Sequence, residues 1–451
     1  MRRSKIGQDN IRIFNEKTPI DISKNEDIVP DYEILIKKRI CKIQIKDAEV
    51  SEIDQLDESI IKAYDINSLD KNPNIIFNKT GILKIGKMLY VIFPFGYKFN
   101  KEKPYKDISM LIKLLKYSKA KIKKILYRDV ELNDDTSKSF FIAYDIINDF
   151  IENGNLKTEC VKEGTNISGK INWKKTLRLK PNLINDEGMP FYTSIYKTRK
   201  DLNIESKLSM IHKYVIESCI NMYGALWGVN VNDGNNKQLS MSENDMKKFL
   251  TTHKNTIYNS KIVYTIDLLI KFLSCSEENS SNGDSFMLVT DRFYVIWENI
   301  CKSLFYYNTK LLNIPQPYWK SSICIVKQIP DIVYQYNEKL YVLDAKYYNC
   351  EIRLPGWHDL VKQFFYEVSL RGKDECKKRY NIMLLPGETD NIIEYKDVAK
   401  VRGVDTLGCV GAVILDTKEA IDNYLNNNTK YNYRDLLETI CNDNNLMITI
   451  N

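Results

Sequence analysis

One stretch of the 451-residue chain does most to limit what it can fold into: Ile329 to Tyr348, IPDIVYQYNEKLYVLDAKYY. It reads as a β-hairpin. Asp331 follows Pro330 at the head of a first strand, and Asn337-Glu338 falls where a turn belongs. Leu340 to Leu343 makes an apolar second strand that ends on Asp344-Ala345-Lys346. Alternate side chains of a strand share a face, so Asp344 and Lys346 point one way and Ala345 the other. Pairing across the turn would bring Asp331 alongside, and two carboxylates would meet one ammonium at a sheet edge. Hard carboxylate oxygens hold Mg²⁺, an ion that keeps several waters and also takes substrate phosphate. A lysine beside them can orient or deprotonate an attacking water and offset charge building on a phosphate.

Pro330-Asp331 followed thirteen residues later by Asp344-Ala345-Lys346 resembles the PD-(D/E)XK nuclease pattern. Short D-x-K strings arise by chance in a chain with 66 Lys and Arg and 59 Asp and Glu. The proline-aspartate pair and the apolar strand feeding Asp344 set this one apart from an exposed hairpin end with solvated charges.

Composition narrows the rest. A hydrophobic content of 43% and a charged content of 28% describe an ordinary soluble protein. No apolar run is long enough to span a bilayer, and the basic start MRRSKIGQDNIRIF lacks the apolar centre of a signal peptide. The ten cysteines are scattered without a CxxC pair, which argues against zinc and fits free thiols in a reducing cytoplasm. Only His212, His253 and His358 exist for imidazole chemistry, so carboxylates must carry any catalysis. A net charge of +7 permits a nucleic-acid partner without demanding one.

Along the chain, Ile40–Ile45 alternates like a strand, and 80–93 reads as a hairpin turning at Gly86-Lys87 and stopped by Pro94-Phe-Gly-Tyr97. From Asp107 to Arg128 the period becomes helical, with Ile108, Leu111 and Leu115 on the apolar side of a lysine-rich helix. Gly169-Lys-Ile-Asn-Trp-Lys-Lys-Thr176 follows, in which Trp173 either stacks on a base or, the favoured reading, anchors a seam between domains. The chain is then mostly helical, with Ser242 as a helix cap and His212 as a structural histidine. The polar string 274–285 marks a boundary. Beyond it come a helix at 292–306, the hairpin, a helix at 359–370, strands at 380–385 and 411–415 and a last helix near 419–425. The expected architecture is α/β: a C-terminal PD-(D/E)XK core with a mixed central sheet flanked by helices, an N-terminal β-rich α+β domain and a helical middle region. The expected domains are 1–165 for DNA recognition or partner docking, 166–285 as a helical connection, and 286–451 as the nuclease.

Taken together, the hairpin ending in FPFGY, GKINWKKT, Trp297-Glu298, PD…DAKYY and Lys362-Gln363 with Tyr366 resemble the LlaJI-type restriction endonucleases, themselves similar to the McrC subunit of modification-dependent restriction systems. The resemblance implies Asp331, Asp344 and Lys346 as catalytic core, Mg²⁺ as cofactor, and Asp331, Asp344 and Glu298 as its ligands. An ordinary surface glutamate is the other reading of Glu298. It also implies a role for Gln363, although the Q-x-x-x-Y spacing of related nucleases is not kept: Tyr366 lies one residue closer and Glu367 takes the final place. The implied partners are double-stranded DNA, an AAA+ GTPase of the McrB kind and a cognate methyltransferase system, with no membrane. Cutting both strands would suit a homo-oligomer. This sequence itself has no GxxxxGK[ST] nucleotide-binding string.

Three functions compete on these observations. The leading one is a Mg²⁺-dependent DNA endonuclease subunit of a bacterial restriction system. A repair or transposition nuclease on the same core is the second, and a non-catalytic stimulator of an AAA+ GTPase is the third.

Overall fold

The computed structural model describes residues 11–21, 34–44, 74–85, 88–121, 134–156, 158–178, 183–184, 186–192, 194–203, 206–229, 241–276, 286–305, 315–316, 330–371, 376–426 and 431–449. The described residues up to 121 fold with those from 286 onward as one unit, and those from 134 to 276 form a second.

The larger unit begins with strands β1 (Ile11–Asn15), β2 (Pro19–Asp21), β3 (Cys41–Gln44), β4 (Asn74–Phe77), β5 (Thr80–Ile85) and β6 (Met88–Phe93), then helix α1 (Tyr105–Lys121). The hairpin expected at 80–93 is β5–β6, with Ile85 opposite Met88, and its turn at 86–87 lies outside the described residues. The strand read in Ile40–Ile45 is β3. Of the helix read from Asp107 to Arg128, α1 contains the part up to Lys121, and the remainder lies outside the described residues. Ile108, Leu111 and Leu115 are buried as the periodicity requires. β1 lies parallel to β6, while β2 and β3 flank β4 in a second small sheet. Leu35, Ile40, Ile75, Phe77, Leu83, Tyr90 and Ile92 share one core.

The smaller unit holds α2 (Asp134–Asn153), β7 (Thr158–Gly164), β8 (Lys170–Ile171), α3 (Trp173–Thr176), β9 (Leu183–Ile184), β10 (Pro190–Phe191), β11 (Lys197–Asn203), α4 (Lys207–Tyr223), α5 (Glu243–Lys254) and α6 (Ser260–Ser276). Helix α4 buries Leu208, Ile211, Val215 and Cys219, the spacing of a helix with one core face. Ser242 caps α5 by accepting the Asp245 N–H at 3.2 Å. His212 is structural: it is 1% exposed, its Nδ1 accepts the Leu156 N–H at 3.1 Å, and burial holds it down to about pH 4. β7, β11 and β8 form a separate three-stranded sheet.

Past 284 the chain returns to the larger unit. It supplies β12 (Phe286–Thr290), α7 (Phe293–Leu304), β13 (Ile332–Tyr336), β14 (Lys339–Ala345), α8 (Trp357–Ser369), β15 (Lys378–Gly387), β16 (Ile393–Lys400), β17 (Cys409–Asp416), α9 (Thr417–Asn426), α10 (Tyr433–Asp443) and β18 (Ile448–Thr449). β12 pairs with β5 and completes the N-terminal sheet in the order β1-β6-β5-β12. The main sheet runs β13-β14-β15-β17-β16, with β18 on the end of β15. β14, β15 and β17 are parallel, and β13 and β16 are antiparallel edges. Parallel neighbours need a crossover, which α8 supplies between β14 and β15.

Both faces of this sheet are covered. Val333, Leu340 and Val342 pack under α8 against Tyr366 and Leu370. On the other face Tyr334 stacks on Tyr341 with ring centroids 4.8 Å apart, and Tyr341 meets Tyr380 at 5.0 Å. Phe305, just beyond α7, and Tyr433 of α10 close over them. The molecule is thus mixed α/β with several sheets, as the element order predicts.

Candidate active site

The hairpin is held by its turn and its register. Asn337 and Glu338 both have positive φ, 48° and 60°, the paired left-handed conformation of a two-residue turn whose twist matches the strands. Ile332 pairs with Leu343, so Asp331 stands opposite Asp344. The Ala345 N–H donates to Asp331 Oδ2 at 2.9 Å and carries the pairing past the strand end. The Lys346 N–H donates to Leu384 O at 3.0 Å, fixing the next residue to β15. The site therefore lies at the carboxyl end of parallel strands, where open α/β sheets leave a crevice for ligands.

Here the three residues expected to act together do meet. Lys346 Nζ is 2.8 Å from Asp344 Oδ2. Asp344 is 7% exposed, and burial raises its carboxyl above the usual range even against the opposing pull of Lys346. Burial also raises Asp331, helped by the negative charges of Asp344 and Glu298, to about 7. Burial alone would lower Lys346, but the Asp344 and Asp359 carboxylates outweigh it and hold the ammonium well above its ordinary value. Lys346 is thus a fixed cation in this geometry.

Glu298, on α7, forms an ion pair with Lys302 one turn on, and its charge is close enough to act on Asp331. Gln363 is 1% exposed and turns to the backbone: its Nε2 donates to Val342 O at 3.1 Å, with Ile382 O at 3.5 Å. That places Gln363 as a clamp holding α8 on β14 and β15 beside the carboxylates. Tyr366 is raised first by burial and then by the charges of Asp344 and Asp331, so its ring is within electrostatic reach of the pair despite the altered spacing. Glu367 is fully buried and pairs with Arg371 and Arg379.

Two further features of the site are absent from the expectations. Asp359, in the first turn of α8, lies 3.1 Å from Lys346 Nζ and accepts the Tyr348 hydroxyl at 2.9 Å. An acid there is also what a helix start favours, so the sequence signal for a second role is masked. The other is the root of the motif. Tyr347 donates to Glu16 Oε2 at 2.8 Å, and the Phe95 N–H donates to the Tyr347 hydroxyl at 2.8 Å. Glu16 is 2% exposed, and burial raises its carboxyl. The Lys17 Nζ donates to Tyr347 O at 2.6 Å. The FPFGY string closes over the same place: Gly96 has φ 73°, and a Cβ there would sit 2.4 Å from Gly387 Cα. FPFGY and DAKYY, far apart in sequence, are one packed unit.

Among the described residues, no group of three or more His, Cys, Asp or Glu is arranged to hold a metal ion. The Asp331–Asp344 pair nevertheless fits Mg²⁺ by donor chemistry, since that ion is commonly held by one or two carboxylates with waters and substrate phosphate. Both carboxyls are raised first by burial, which penalises their charged forms, and a cation held between them would offset that penalty. This carries a prediction. A carboxyl raised from 3.8 to about 7 on folding favours the folded state fully only below 3.8, and that contribution is lost as pH rises through 7. Asp331→Asn keeps an acceptor for the Ala345 N–H and removes the charge. Its melting temperature should therefore exceed that of the wild type at pH 8, with the difference shrinking toward pH 4. A difference independent of pH would contradict this electrostatic picture.

The hairpin thus presents one buried and one half-buried carboxylate beside one fixed ammonium at the end of a parallel sheet. The profile of the LlaJI restriction endonuclease family matches residues 80–418, and the chain belongs to that family. A relative, the type II restriction enzyme BsuMI component YdjA of Bacillus subtilis (strain 168), is 26% identical over 408 residues, 82% of this chain and 85% of that protein. Among solved structures, a chain in the half-complex of the Thermococcus gammatolerans McrB AAA+ hexamer assembly with bound McrC is 14% identical with a TM-score of 0.36, covering 94% of this chain and 100% of that one. A chain of the Thermococcus gammatolerans McrBC complex is 11% identical with a TM-score of 0.20, covering 58% and 79%. No helix among the described residues is long and apolar enough to cross a membrane.

Proposed function

We propose that this chain is the DNA-cutting subunit of a restriction system, with a PD-(D/E)XK core hydrolysing phosphodiester bonds in double-stranded DNA and Mg²⁺ as cofactor. The observation that carries the reading is the meeting of Asp331, Asp344 and Lys346 at the end of β14 in a member of a restriction endonuclease family. Asp331 and Asp344 would hold the ion, with Glu298 near enough to contribute charge. A bound Mg²⁺ would supply positive charge to the phosphate and make water more acidic. Lys346, kept cationic and aimed by Asp344 and Asp359, donates to a phosphoryl oxygen or orients the attacking water. Water adds to phosphorus, one P–O ester bond breaks, and the departing oxygen takes a proton.

The Bacillus relative is named a component of its enzyme, which supports a division of labour here too. The sequence holds no phosphate-binding GxxxxGK[ST] string, so we assign nucleotide hydrolysis to a separate AAA+ partner and host protection to a methyltransferase.

The metal requirement is tested by incubating supercoiled plasmid with the protein in Mg²⁺, in Ca²⁺ and in chelator, alone and with the nucleotide-hydrolysing partner. Cutting is expected in Mg²⁺ and should fall to background on chelation. Undiminished cutting in chelator would remove the carboxylate pair from the reaction.

A further inference from the structure

The GKINWKKT string of the smaller unit is not used by the nuclease site, and its construction shows what it presents. Gly169 begins it at φ 158°, where a Cβ would stand 2.4 Å from Thr198 O, so β8 can close on β11 only with glycine there. Asn172 caps α3: its side chain accepts the Lys175 N–H at 3.1 Å, and its own N–H donates to Tyr196 O at 2.8 Å. Thr176 is fully buried, donates to Asn172 O at 3.0 Å and accepts the Tyr196 N–H at 3.0 Å. Lys175 pairs with Glu163 of β7. Glycine, asparagine, threonine and one lysine thus build a tight turn, while the residues between them are pushed outward.

What faces outward is an aromatic ring among cations. Trp173 is 59% exposed, against the expectation of a domain seam, and Leu177 one turn on is 62% exposed. Lys170, Lys174 and Arg178 are exposed and form no ion pair among the described residues. Segment 162–178 has Lys162, Lys170, Lys174, Lys175 and Arg178 against the single acid Glu163, which Lys175 already neutralises. On the adjoining strands Arg199 stands directly opposite Lys162, both exposed.

We propose that this turn is a DNA contact: Lys170, Lys174 and Arg178 bind backbone phosphates, and Trp173 packs against an adjacent base or deoxyribose. A tryptophan held in water by this turn costs apolar exposure that a nucleobase or sugar face relieves, and the exposed cations around it complement a phosphate backbone. The inference rests on DNA being the substrate of the proposed nuclease, but it concerns binding and not chemistry.

The test is the affinity of the full chain for a fluorescent duplex across a salt series. The variants are Trp173→Ala, Trp173→Phe, the triple Lys170→Gln/Lys174→Gln/Arg178→Gln, and Asp344→Ala as a site control. All replaced residues of the turn are exposed, and circular dichroism verifies folding. The triple variant should reduce the slope of log affinity against log salt by about 3, at roughly 0.9 per lost phosphate contact. Trp173→Ala should weaken binding roughly 5- to 100-fold with the slope retained, and Trp173→Phe should recover most of it. Asp344→Ala reports on cleavage alone. Unchanged affinity and slope in the turn variants would overturn the inference, as would absence of wild-type binding, or loss of a protein partner with DNA binding intact. Asp344-dependent cleavage is scored separately, so either reading can fail while the other stands.

Discussion

Glu367→Ala is expected to destabilise the larger unit by about 3–5 kcal/mol, the usual cost of stranding a buried charge. Glu367 is fully buried on α8. Its carboxylate accepts from Arg371 Nε at 3.1 and 3.0 Å and from Nη2 at 2.6 Å. Arg379 of β15, 1% exposed, brings Nη1 to 3.9 Å from the same group. Arg371 in turn donates to Thr406 O at 2.7 Å, so one carboxylate ties α8 to the main sheet and to the loop before β17. Alanine would leave the Arg379 guanidinium in the interior without its counter-charge. The loss should appear as a fall on the order of 10 °C in the melting temperature of that unit. Glu367→Gln, which retains hydrogen-bond acceptance, should fall between the two. A shift of the alanine variant within about 1 °C would show that the pair contributes nothing net.

The same position explains a departure that the sequence displayed without its cause. Related nucleases place a tyrosine four residues after the glutamine. Here that place is Glu367, whose side chain points into the sheet at Arg379, and the tyrosine moves to 366, where it packs on Val333, Leu340 and Val342 and still feels the charges of Asp331 and Asp344. A buried arginine on β15 demanded an acid one turn beyond Gln363. Only the fold brings residues 367 and 379 together, so the spacing alone could not disclose this.

What was legible had local causes. The hairpin is visible because strand alternation, a two-residue turn and an apolar run all fall within twenty residues, and its register then dictates that Asp331 faces Asp344. Helices α4, α7 and α8 were visible for the same reason, through one-faced apolar spacing. β16 was missed: Ile393–Lys400 is an edge strand with mostly exposed polar residues and a bulge at Tyr395/Asp397, so it lacks alternation. The pairing of β12 with β5 and of β1 with β6 joins distant segments that carry no mutual signal in one sequence. Glu16 shows the limit most clearly. In the string Asn15-Glu-Lys-Thr18 it looks like a solvated turn residue, yet it lies buried against Tyr347 and Thr80. Trp173 failed in the other direction, since a large aromatic invites burial and this one is held in water by Asn172 and Thr176.

Removing Asp344 acts at once on the carboxylate pair and on the lysine proposed to cut DNA with it. Its carboxylate holds Lys346 at 2.8 Å and faces Asp331, so alanine disperses the charges that would meet the ion and the phosphate. A metal's contribution to transition-state charge is several kcal/mol, and each 1.36 kcal/mol is tenfold, so cleavage should fall by about 10³-fold or more. The decisive measurement is cleavage of plasmid and phage DNA in Mg²⁺ by wild type and Asp344→Ala prepared side by side, each alone and with the proposed AAA+ partner plus nucleotide. Discrete fragments from the wild type, with none from a variant that still binds DNA, are the predicted result. Equal cutting by both proteins, or no Asp344-dependent cutting under either condition, would contradict the account and bring forward the reading of this chain as a non-catalytic stimulator of its partner.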